Sequence, residues 1–255
     1  MTIPYNAKPY SNRSYIRDAL LESGLNASSV RRMFNTIKAI FNLAIAEHGL
    51  DMRNPFSSIY LPENDSKKRV SIPVDTIRQI QQACREHDDD MRWLIALISD
   101  TGMRLAEAAG LHIEDLRVDE DIPYVDIKPH PWRSLKTKGS QRQVPLVGAS
   151  LWAAQRIKAN ASSCFAFPRY TDNTRCNANS ASNALNKWLH ANFRKDIVIH
   201  GFRHVMCDLL RAFSCPLEMI DQIGGWSSIG AIGSKYGQGY DLDAVKEQFD
   251  AVSLS

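Results

Sequence analysis

Apolar residues recur at helical spacing along most of the chain, and one stretch departs from that pattern. Within the helical segments the apolar positions fall three and four residues apart, so each segment presents one apolar face to a core. Residues 91–99 are almost wholly apolar, which predicts a buried core helix. The segments predicted as helices are residues 30–48, 74–87, 91–99, a short helix beginning near 102–104, and residues 148–159, 179–192, 201–213, 216–223 and 241–251.

The segment 30–48 shows the clearest amphipathic pattern, and Ser28-Ser29 precedes it as a predicted N-cap. Its opposite face carries Arg31 and Lys38. Two interpretations of that face stay open, a solvated surface or a stripe that contacts DNA phosphates, and the second makes both residues candidates for DNA binding. The apolar positions of the segment are Val30, Met33, Phe34, Ile37, Phe41, Ala44 and Ile45.

Residues 122–146 show a different pattern. Side chains alternate in polarity over residues 124–127, and residues 137–140 separate two extended stretches. This predicts a small antiparallel sheet, with Lys136 at the end of the first hairpin strand and Lys138 in the turn. The predicted fold class is therefore α+β, mainly α with a small antiparallel β-sheet.

A polar stretch divides the chain into two predicted domains. The first helical region ends around Asn54-Pro55, and residues 61–69 are charged and contain a proline. We predict a short helical domain over residues 1–65, a linker over 66–72, and a larger domain over 73–255 that ends in a tail helix.

Composition limits the class of protein. Hydrophobic residues make up 44% of the 255 residues, charged residues 23%, and no run approaches the length of a membrane span. The start of the chain lacks a secretory signal, so we expect a cytoplasmic protein with no membrane partner. Five scattered cysteines suggest neither disulfides nor a metal site. The net charge of +3 says little, but residues 1–70 carry 10 basic against 6 acidic side chains.

Three short motifs carry the candidate chemistry, and each of them alone is a weak signal. Thr101-Gly102-Met103-Arg104-Leu105-Ala106-Glu107 places an arginine where a helix restarts after a Thr-Gly break. His200-Gly201-Phe202-Arg203 opens a later helix, with its histidine and arginine on one face. Gly224-Gly225-Trp226 is followed ten residues after the tryptophan by Tyr236. Taken singly, each motif has an ordinary structural explanation. These are a surface ion pair for the first, a pair of hydrogen-bonded polar residues for the second, and a core tryptophan for the third.

Taken in order, these motifs and a basic hairpin ending in Val-Pro-Leu resemble the tyrosine recombinases, in particular the phage integrases. The resemblance covers roughly residues 72–255. It implies that this part is a catalytic domain and that residues 1–65 are a helical core DNA-binding domain. Because that domain is shorter than is usual in the family, we expect a truncated chain or an unusually short member. It also implies double-stranded DNA as substrate and a homotetramer on DNA, while the free protein can be monomeric.

The resemblance also implies a role for each site residue. Arg104 and Arg203 would hold the scissile phosphate, because arginine is always charged and its planar donors match two phosphate oxygens. Tyr236 would attack phosphorus and form a 3′-phosphotyrosyl ester, without metal, ATP or other cofactor. A tyrosine hydroxyl titrates near pH ~10, so its proton needs a partner, and His200 is the best base nearby.

Two assignments within this set stay open, the lysine and the tyrosine, and Trp226 departs from the usual family pattern. A lysine of the hairpin would protonate the leaving 5′-oxygen, and we prefer Lys136 over Lys138 for this role. Lys138 would then be a residue that contacts DNA. Trp226 stands where histidine is more usual in the family, and its indole N–H can donate to phosphate but cannot accept a proton. Tyr240 competes with Tyr236 as nucleophile, although Tyr236 fits the family spacing better.

The tail after Tyr236 repeats apolar positions at helical spacing, so it covers either its own domain or, as in relatives, a neighbouring subunit. Three other functions remain as alternatives. They are a catalytically inactive DNA-binding regulator on the same scaffold, a type IB topoisomerase, and a metal-dependent nuclease that uses acids such as Asp88-Asp89-Asp90. No spaced carboxylate or histidine cluster near the proposed site supports the nuclease.

Overall fold

The computed structural model describes residues 11–61, 71–226 and 239–254. The chain divides into two compact units, residues 1–69 and 70–255. The predicted linker, residues 66–72, lies mostly outside the described residues and stays a prediction. Ile72, its last residue, is buried in the core of the second unit.

The described part of the first unit contains two helices, α1 (Ser11–Glu22) and α2 (Ala27–His48). The sequence analysis did not predict α1. The N-cap of α2 is Asn26, whose side chain accepts from the Ser29 N–H at 2.8 Å, so the predicted Ser28-Ser29 cap was wrong. Gly49 ends the helix in the left-handed conformation, at φ +59°, which a residue with a Cβ adopts only with strain.

The apolar face of α2 is only partly buried. Val30 and Phe34 are buried, and Phe56 packs against Phe34 and Phe41 with ring centroids 6.2 and 4.9 Å apart. Met33, expected on the buried face, is 42% exposed. The physical reason is geometric, because α1 and the segment around Phe56 cover only part of a 22-residue helix.

The second unit is built around one buried helix. Residues 94–101, the C-terminal two thirds of α4, are buried, which confirms the predicted core helix. This helix packs against α3, α6 and α8. The helices of the unit are α3 (Val74–His87), α4 (Asp90–Thr101), α5 (Leu105–Ala109), α6 (Gly148–Ala159), α7 (Ala178–Asn192), α8 (Gly201–Ala212), α9 (Leu217–Gly224) and α10 (Leu242–Val252).

A three-stranded antiparallel sheet lies beside these helices and confirms the predicted fold class. The strands are β1 (Leu116–Arg117), β2 (Tyr124–Ile127) and β3 (Arg142–Pro145), in the order β1-β2-β3. Val125 pairs with Val144 and Ile127 with Arg142. The alternation over residues 124–127 therefore predicted β2 correctly, while β1 is only two residues long and left no pattern to detect.

The tail helix α10 packs on the same chain. Val245, Phe249 and Val252 are buried, and the helix contacts β3 and α8. In the single chain the tail helix therefore covers its own domain, and docking on a neighbouring subunit stays a prediction. In the part of the chain that is described, no helix is long and apolar enough to cross a membrane.

One buried carboxyl group ties α4 to its neighbours. Asp100 accepts from Gln81 Nε2 at 2.6 Å and from the Ser150 N–H at 3.1 Å, and it is 3% exposed. Burial raises the pKa of Asp100 from 3.8 to about 6, although the hydrogen bonds from Ser150 and Gln81 act in the opposite direction.

This pKa predicts a pH-dependent stability. The folded state holds the Asp100 proton more tightly than the unfolded chain, so its contribution is full below the unfolded pKa and is lost as the pH rises through about 6. Relative to Asp100→Asn, the unfolding free energy of the wild type should fall by up to about 3 kcal/mol between pH ~3.5 and ~7. Tryptophan fluorescence during urea unfolding measures this, because all five tryptophans belong to the second unit. A difference that does not change with pH would contradict it.

Candidate active site

The C-terminal end of α9 is the centre of the candidate site. Its last turn leaves carbonyl groups without partners inside the helix, and these carry the negative end of the helix dipole. Three arginines from three different elements donate to three successive carbonyls there. The donors and acceptors are Arg142 Nε to Ile223 O at 2.6 Å, Arg203 Nη2 to Gly224 O, and Arg104 Nη2 to Gly225 O at 2.9 Å.

The Gly224-Gly225-Trp226 motif forms this helix end. Gly225 lies at φ +60°, and the Trp226 N–H donates to Asp221 O at 2.9 Å, which closes the helix in a Schellman-type cap. A Cβ on Gly224 would overlap the six-membered ring of Trp226. Both glycines are therefore required. Gly225 is required by its backbone conformation, and Gly224 because the Trp226 indole lies against it.

A single carboxylate connects two of the three arginines. Glu107 accepts from Arg104 Nη1 at 2.6 Å and from Arg142 Nη2 at 2.9 Å, and it is 3% exposed. Burial alone would raise the pKa of Glu107, but the charge and hydrogen bonds of Arg142 and Arg104 outweigh it and hold the pKa below its usual value. Glu107 therefore stays ionised and offsets one of the three positive charges.

Of the two arginines predicted from the sequence, Arg203 is the more deeply buried. It is 3% exposed, and the Trp226 ring lies over its guanidinium, 4.2 Å from carbon to ring centroid. Burial, together with the charges of Arg104 and Arg142, lowers the pKa of Arg203 to about 10, so the group stays protonated at neutral pH. The indole face supplies a favourable cation–π contact and orients the guanidinium plane.

The Thr-Gly break brings the two predicted arginines together. Gly102 ends α4 at φ +61°, and its carbonyl accepts from Arg203 Nη1 at 2.9 Å. A Cβ on Gly102 would lie 3.0 Å from Met206 Cβ, so the glycine also lets α8 approach the end of α4. Arg104 follows as the N-cap of α5. The helix begins at Leu105, slightly later than predicted.

The predicted position of Lys136, at the end of a hairpin strand, was wrong. Strand β2 ends at Ile127, and residues 128–141 form a long irregular connection, so Lys136 lies in a bend and not at a strand end. The cause is local, since Pro129 and Pro131 cannot donate to a ladder and His130 pairs instead with Arg133 across a tight turn. Lys136 is exposed.

Lys138 begins a short 3-10 turn, Lys138–Ser140, and its side chain lies outside what the structure describes. The turn is fixed at its end, because Ser140 is fully buried, its N–H donates to Thr137 O at 3.1 Å, and its Oγ lies 3.3 Å from Arg104 Nη1. The loop that carries both lysines is therefore attached to the arginine site.

His200 immediately precedes α8 and is exposed, with its ring edge-on to that of His204 at 5.1 Å. Tyr236 lies outside the described residues. Tyr240 is described and is 37% exposed; its backbone N–H donates to Gln222 Oε1 at 2.9 Å and its carbonyl accepts from Gln222 Nε2 at 2.7 Å.

The predicted DNA-binding residues Arg31 and Lys38 lie on α2 in the first unit. Arg31 is exposed and donates to Leu61 O at 3.3 Å, and Lys38 is partly buried, its carbonyl accepting from Asn54 Nδ2 at 2.8 Å. A shallow surface depression on the helix includes Arg31 and also Arg32, which the sequence analysis did not name. Lys38 is not part of its lining.

The third arginine, Arg142, was not predicted from the sequence. Arg142 and Val144 are both buried on β3, where side chains two residues apart share a face. A charged residue on the inward parity of a strand is the signal that would have identified it. Within the described ranges, no group of three or more His, Cys, Asp or Glu side chains is arranged to hold a metal ion.

Comparison with known proteins connects this geometry to a family. The profile of the phage integrase family matches residues 71–242, about two thirds of the chain. The chain belongs to the phage integrase family. The tyrosine recombinase XerC of Neisseria meningitidis serogroup C is 24% identical to it over 219 residues, which cover 82% of this chain and 68% of that protein.

Solved structures of integrases share the fold of this family member. The Tn1549 transposon integrase, in a complex with a circular intermediate DNA, superposes with a TM-score of 0.66 at 18% identity, covering 99% of this chain and 88% of the other. A lambda integrase tetramer bound to a Holliday junction superposes with a TM-score of 0.65 at 16% identity, covering 91% and 68%. At these identities the likeness shows the fold alone.

The close packing of the helix end in this integrase-family chain predicts the effect of a small substitution. Gly224→Ala should displace the Trp226 indole and lower the unfolding free energy by about 1–3 kcal/mol, the usual cost of overpacking. Thermal unfolding measures it. Gly139→Ala is the matched control, because a Cβ there has nothing within 4 Å and should change the stability little. A Gly224→Ala variant as stable as Gly139→Ala would contradict the described packing.

Proposed function

We propose that this protein is a site-specific DNA recombinase that cleaves and rejoins DNA strands through a 3′-phosphotyrosyl intermediate, with no metal or ATP in the reaction. Membership of the phage integrase family sets the reaction class. The observation that carries the proposal is the convergence of Arg104 and Arg203, 99 residues apart in sequence, on adjacent carbonyls of Gly225 and Gly224. Two fixed guanidinium groups at one point form a receptor for a phosphodiester.

The chemistry requires this fixed positive charge. The non-bridging oxygens of a phosphodiester gain negative charge as phosphorus becomes five-coordinate, and preorganised donors lower the energy of that state. Removing one such donor typically costs ~10²–10³ in rate. Arg104 and Arg203 act as catalytic residues because each faces an oxygen of the scissile phosphate, and Trp226 supports Arg203 and adds an indole N–H donor.

Tyr236 acts as the nucleophile. Its oxygen forms the bond to phosphorus while the bond to the 5′-oxygen breaks, and His200 accepts the phenolic proton. The number of phosphoester bonds is unchanged, so the reverse attack by a 5′-hydroxyl rejoins a strand without an energy source. Lys136 delivers the proton to the leaving 5′-oxygen.

Double-stranded DNA is the substrate, and we propose that four copies assemble on paired sites while the free protein can be monomeric. The first unit is the core DNA-binding domain, with Arg31 and Lys38 as phosphate contacts and Lys138 as a further contact near the cut. Access to DNA implies a cytoplasmic location. Support for the assembly comes from the lambda integrase tetramer on a Holliday junction, which shares the fold.

A covalent trap tests the nucleophile. The wild type is incubated in EDTA with a library of duplexes that carry a randomised core and a nick beside each candidate position, so that the short cleaved strand diffuses away. We expect a protein–DNA band that survives detergent and disappears in Tyr236→Phe. Tyr240→Phe is the matched control and should retain the band, because Tyr240 contributes only its backbone to the pair with Gln222.

Three results would contradict this assignment. A band that survives Tyr236→Phe would assign another nucleophile, and a band that requires Mg²⁺ would indicate a metal-dependent enzyme. Relaxation of supercoiled plasmid with no sequence preference would favour the type IB topoisomerase.

The leaving-group role of Lys136 has its own test. Lys136→Ala should slow cleavage of an ordinary substrate, and a bridging 5′-phosphorothiolate should restore the rate, because a thiol of pKa about 8.5 leaves without a proton. Lys138→Ala should show no such selective rescue. Single-turnover cleavage with both substrates measures the effect, and rescue of Lys138→Ala instead of Lys136→Ala would exchange the two roles.

A further inference from the structure

A third arginine lies at the centre of the candidate site and has no part in the reaction described above. Arg142 begins β3, and its side chain is 3% exposed. Each nitrogen of its guanidinium donates to a different part of the unit. The acceptors are Ile223 O for Nε at 2.6 Å, Ser140 O for Nη1 at 2.7 Å and Glu107 Oε2 for Nη2 at 2.9 Å.

We propose that Arg142 is a positioning residue for the cleavage step, which sets the geometry of the arginine pair and of the lysine loop without touching DNA. This inference rests on the proposed recombinase function. All three guanidinium nitrogens of Arg142 donate to protein acceptors, whereas Arg104 and Arg203 each do so with two, so Arg142 acts through the groups that it holds.

The first of these connections leads to Arg104. Glu107 receives Arg142 on one carboxylate oxygen and Arg104 Nη1 on the other, so the carboxylate fixes one guanidinium relative to the second. The Arg104 backbone N–H also donates to Glu107 Oε2 at 3.0 Å, the oxygen that Arg142 contacts. Loss of the Arg142 bond would leave this carboxylate held by Arg104 alone, so the two side chains could shift together relative to the end of α9.

The second connection leads to the end of α9. Arg142 holds the carbonyl of Ile223, and the next two carbonyls hold Arg203 and Arg104. The fit is tight, since a Cβ on Gly225 would lie 2.9 Å from Arg142 Nη1. Arg142 therefore fixes the acceptors of both arginines as well as the carboxylate.

The third connection leads to the loop that carries the candidate lysines. Arg142 donates to Ser140 O, and the Ser140 N–H donates to Thr137 O at 3.1 Å. Thr137 lies between Lys136 and Lys138 in the sequence. One side chain thus connects Glu107, the end of α9 and the loop that carries the candidate lysines.

Only arginine can make these connections at once. A lysine ammonium at this position keeps the charge, but it is a point donor on a flexible stem and cannot present three nitrogens in a plane to acceptors on three elements. An apolar residue would leave Glu107 and two carbonyls buried with fewer partners. The conservative Arg142→Lys substitution is therefore the informative one.

The test separates DNA binding from cleavage. We expect Arg142→Lys to bind duplex DNA from the selected library with the wild-type Kd and to cleave it, at saturating DNA and in a single turnover, on the order of 10²-fold more slowly, since misplacement by about 1 Å costs that much. The matched control is Arg194→Lys, an exposed arginine paired with Asp196, which should leave both quantities unchanged.

A double-mutant cycle tests the route through Glu107. Glu107→Gln keeps the shape of the side chain but removes the charge that joins Arg104 to Arg142. If Arg142 acts through that carboxylate, Arg142→Lys slows cleavage far less in the Glu107→Gln protein than in the wild type. Should Arg142→Lys fail to fold by circular dichroism, Glu107→Gln alone still has to slow cleavage without changing the Kd.

Several outcomes would overturn the inference. Wild-type cleavage by Arg142→Lys, or equal losses of affinity and cleavage, would each show that Arg142 serves the fold alone. Strictly additive effects in the cycle would overturn the route through Glu107. Absence of a covalent product from the wild-type protein is a different result, because it overturns the proposed function before any Arg142 variant is compared.

Discussion

The site depends on the three carbonyl groups at the C-terminal end of α9, which hold three guanidinium groups together. Three positive charges in one buried region repel each other, and burial alone penalises each of them. The helix dipole, the carbonyl acceptors and the Glu107 carboxylate offset that cost. Because Glu107 offsets only one charge, the site retains a positive excess in fixed positions, which is what a phosphodiester in its transition state requires.

The rest of the fold places these groups. Buried helix α4 ends at Gly102, whose left-handed conformation lets α8 pack close and whose carbonyl orients Arg203. The cap at Gly225 turns the chain so that Trp226 covers Arg203. Gly102 and Gly225 therefore fix the backbone where Arg203 and Trp226 meet, and these glycines are required as well as the arginines.

The sequence predicted the features that depend on side-chain pattern. The apolar run at 91–99 predicted the buried helix α4. The motifs identified Arg104 and Arg203, which the structure places on adjacent carbonyls. The sequence could not reveal their adjacent acceptors, because backbone carbonyls have no sequence signature. Arg142 binds two such carbonyls, and its one sequence signal, a charged residue on the inward parity of β3, was overlooked. The lysine loop was misplaced because two prolines and a bridged turn at His130 override the hairpin pattern.

We propose that Arg104 and Arg203 each face one non-bridging oxygen of the scissile phosphate. Replacing one of those oxygens by a neutral methyl group removes the charge that its arginine would bind. We predict that Arg104→Ala and Arg203→Ala are each rescued in single-turnover cleavage by one methylphosphonate diastereomer, and by opposite ones. Rescue of both variants by the same diastereomer, or of neither by any, would contradict the account.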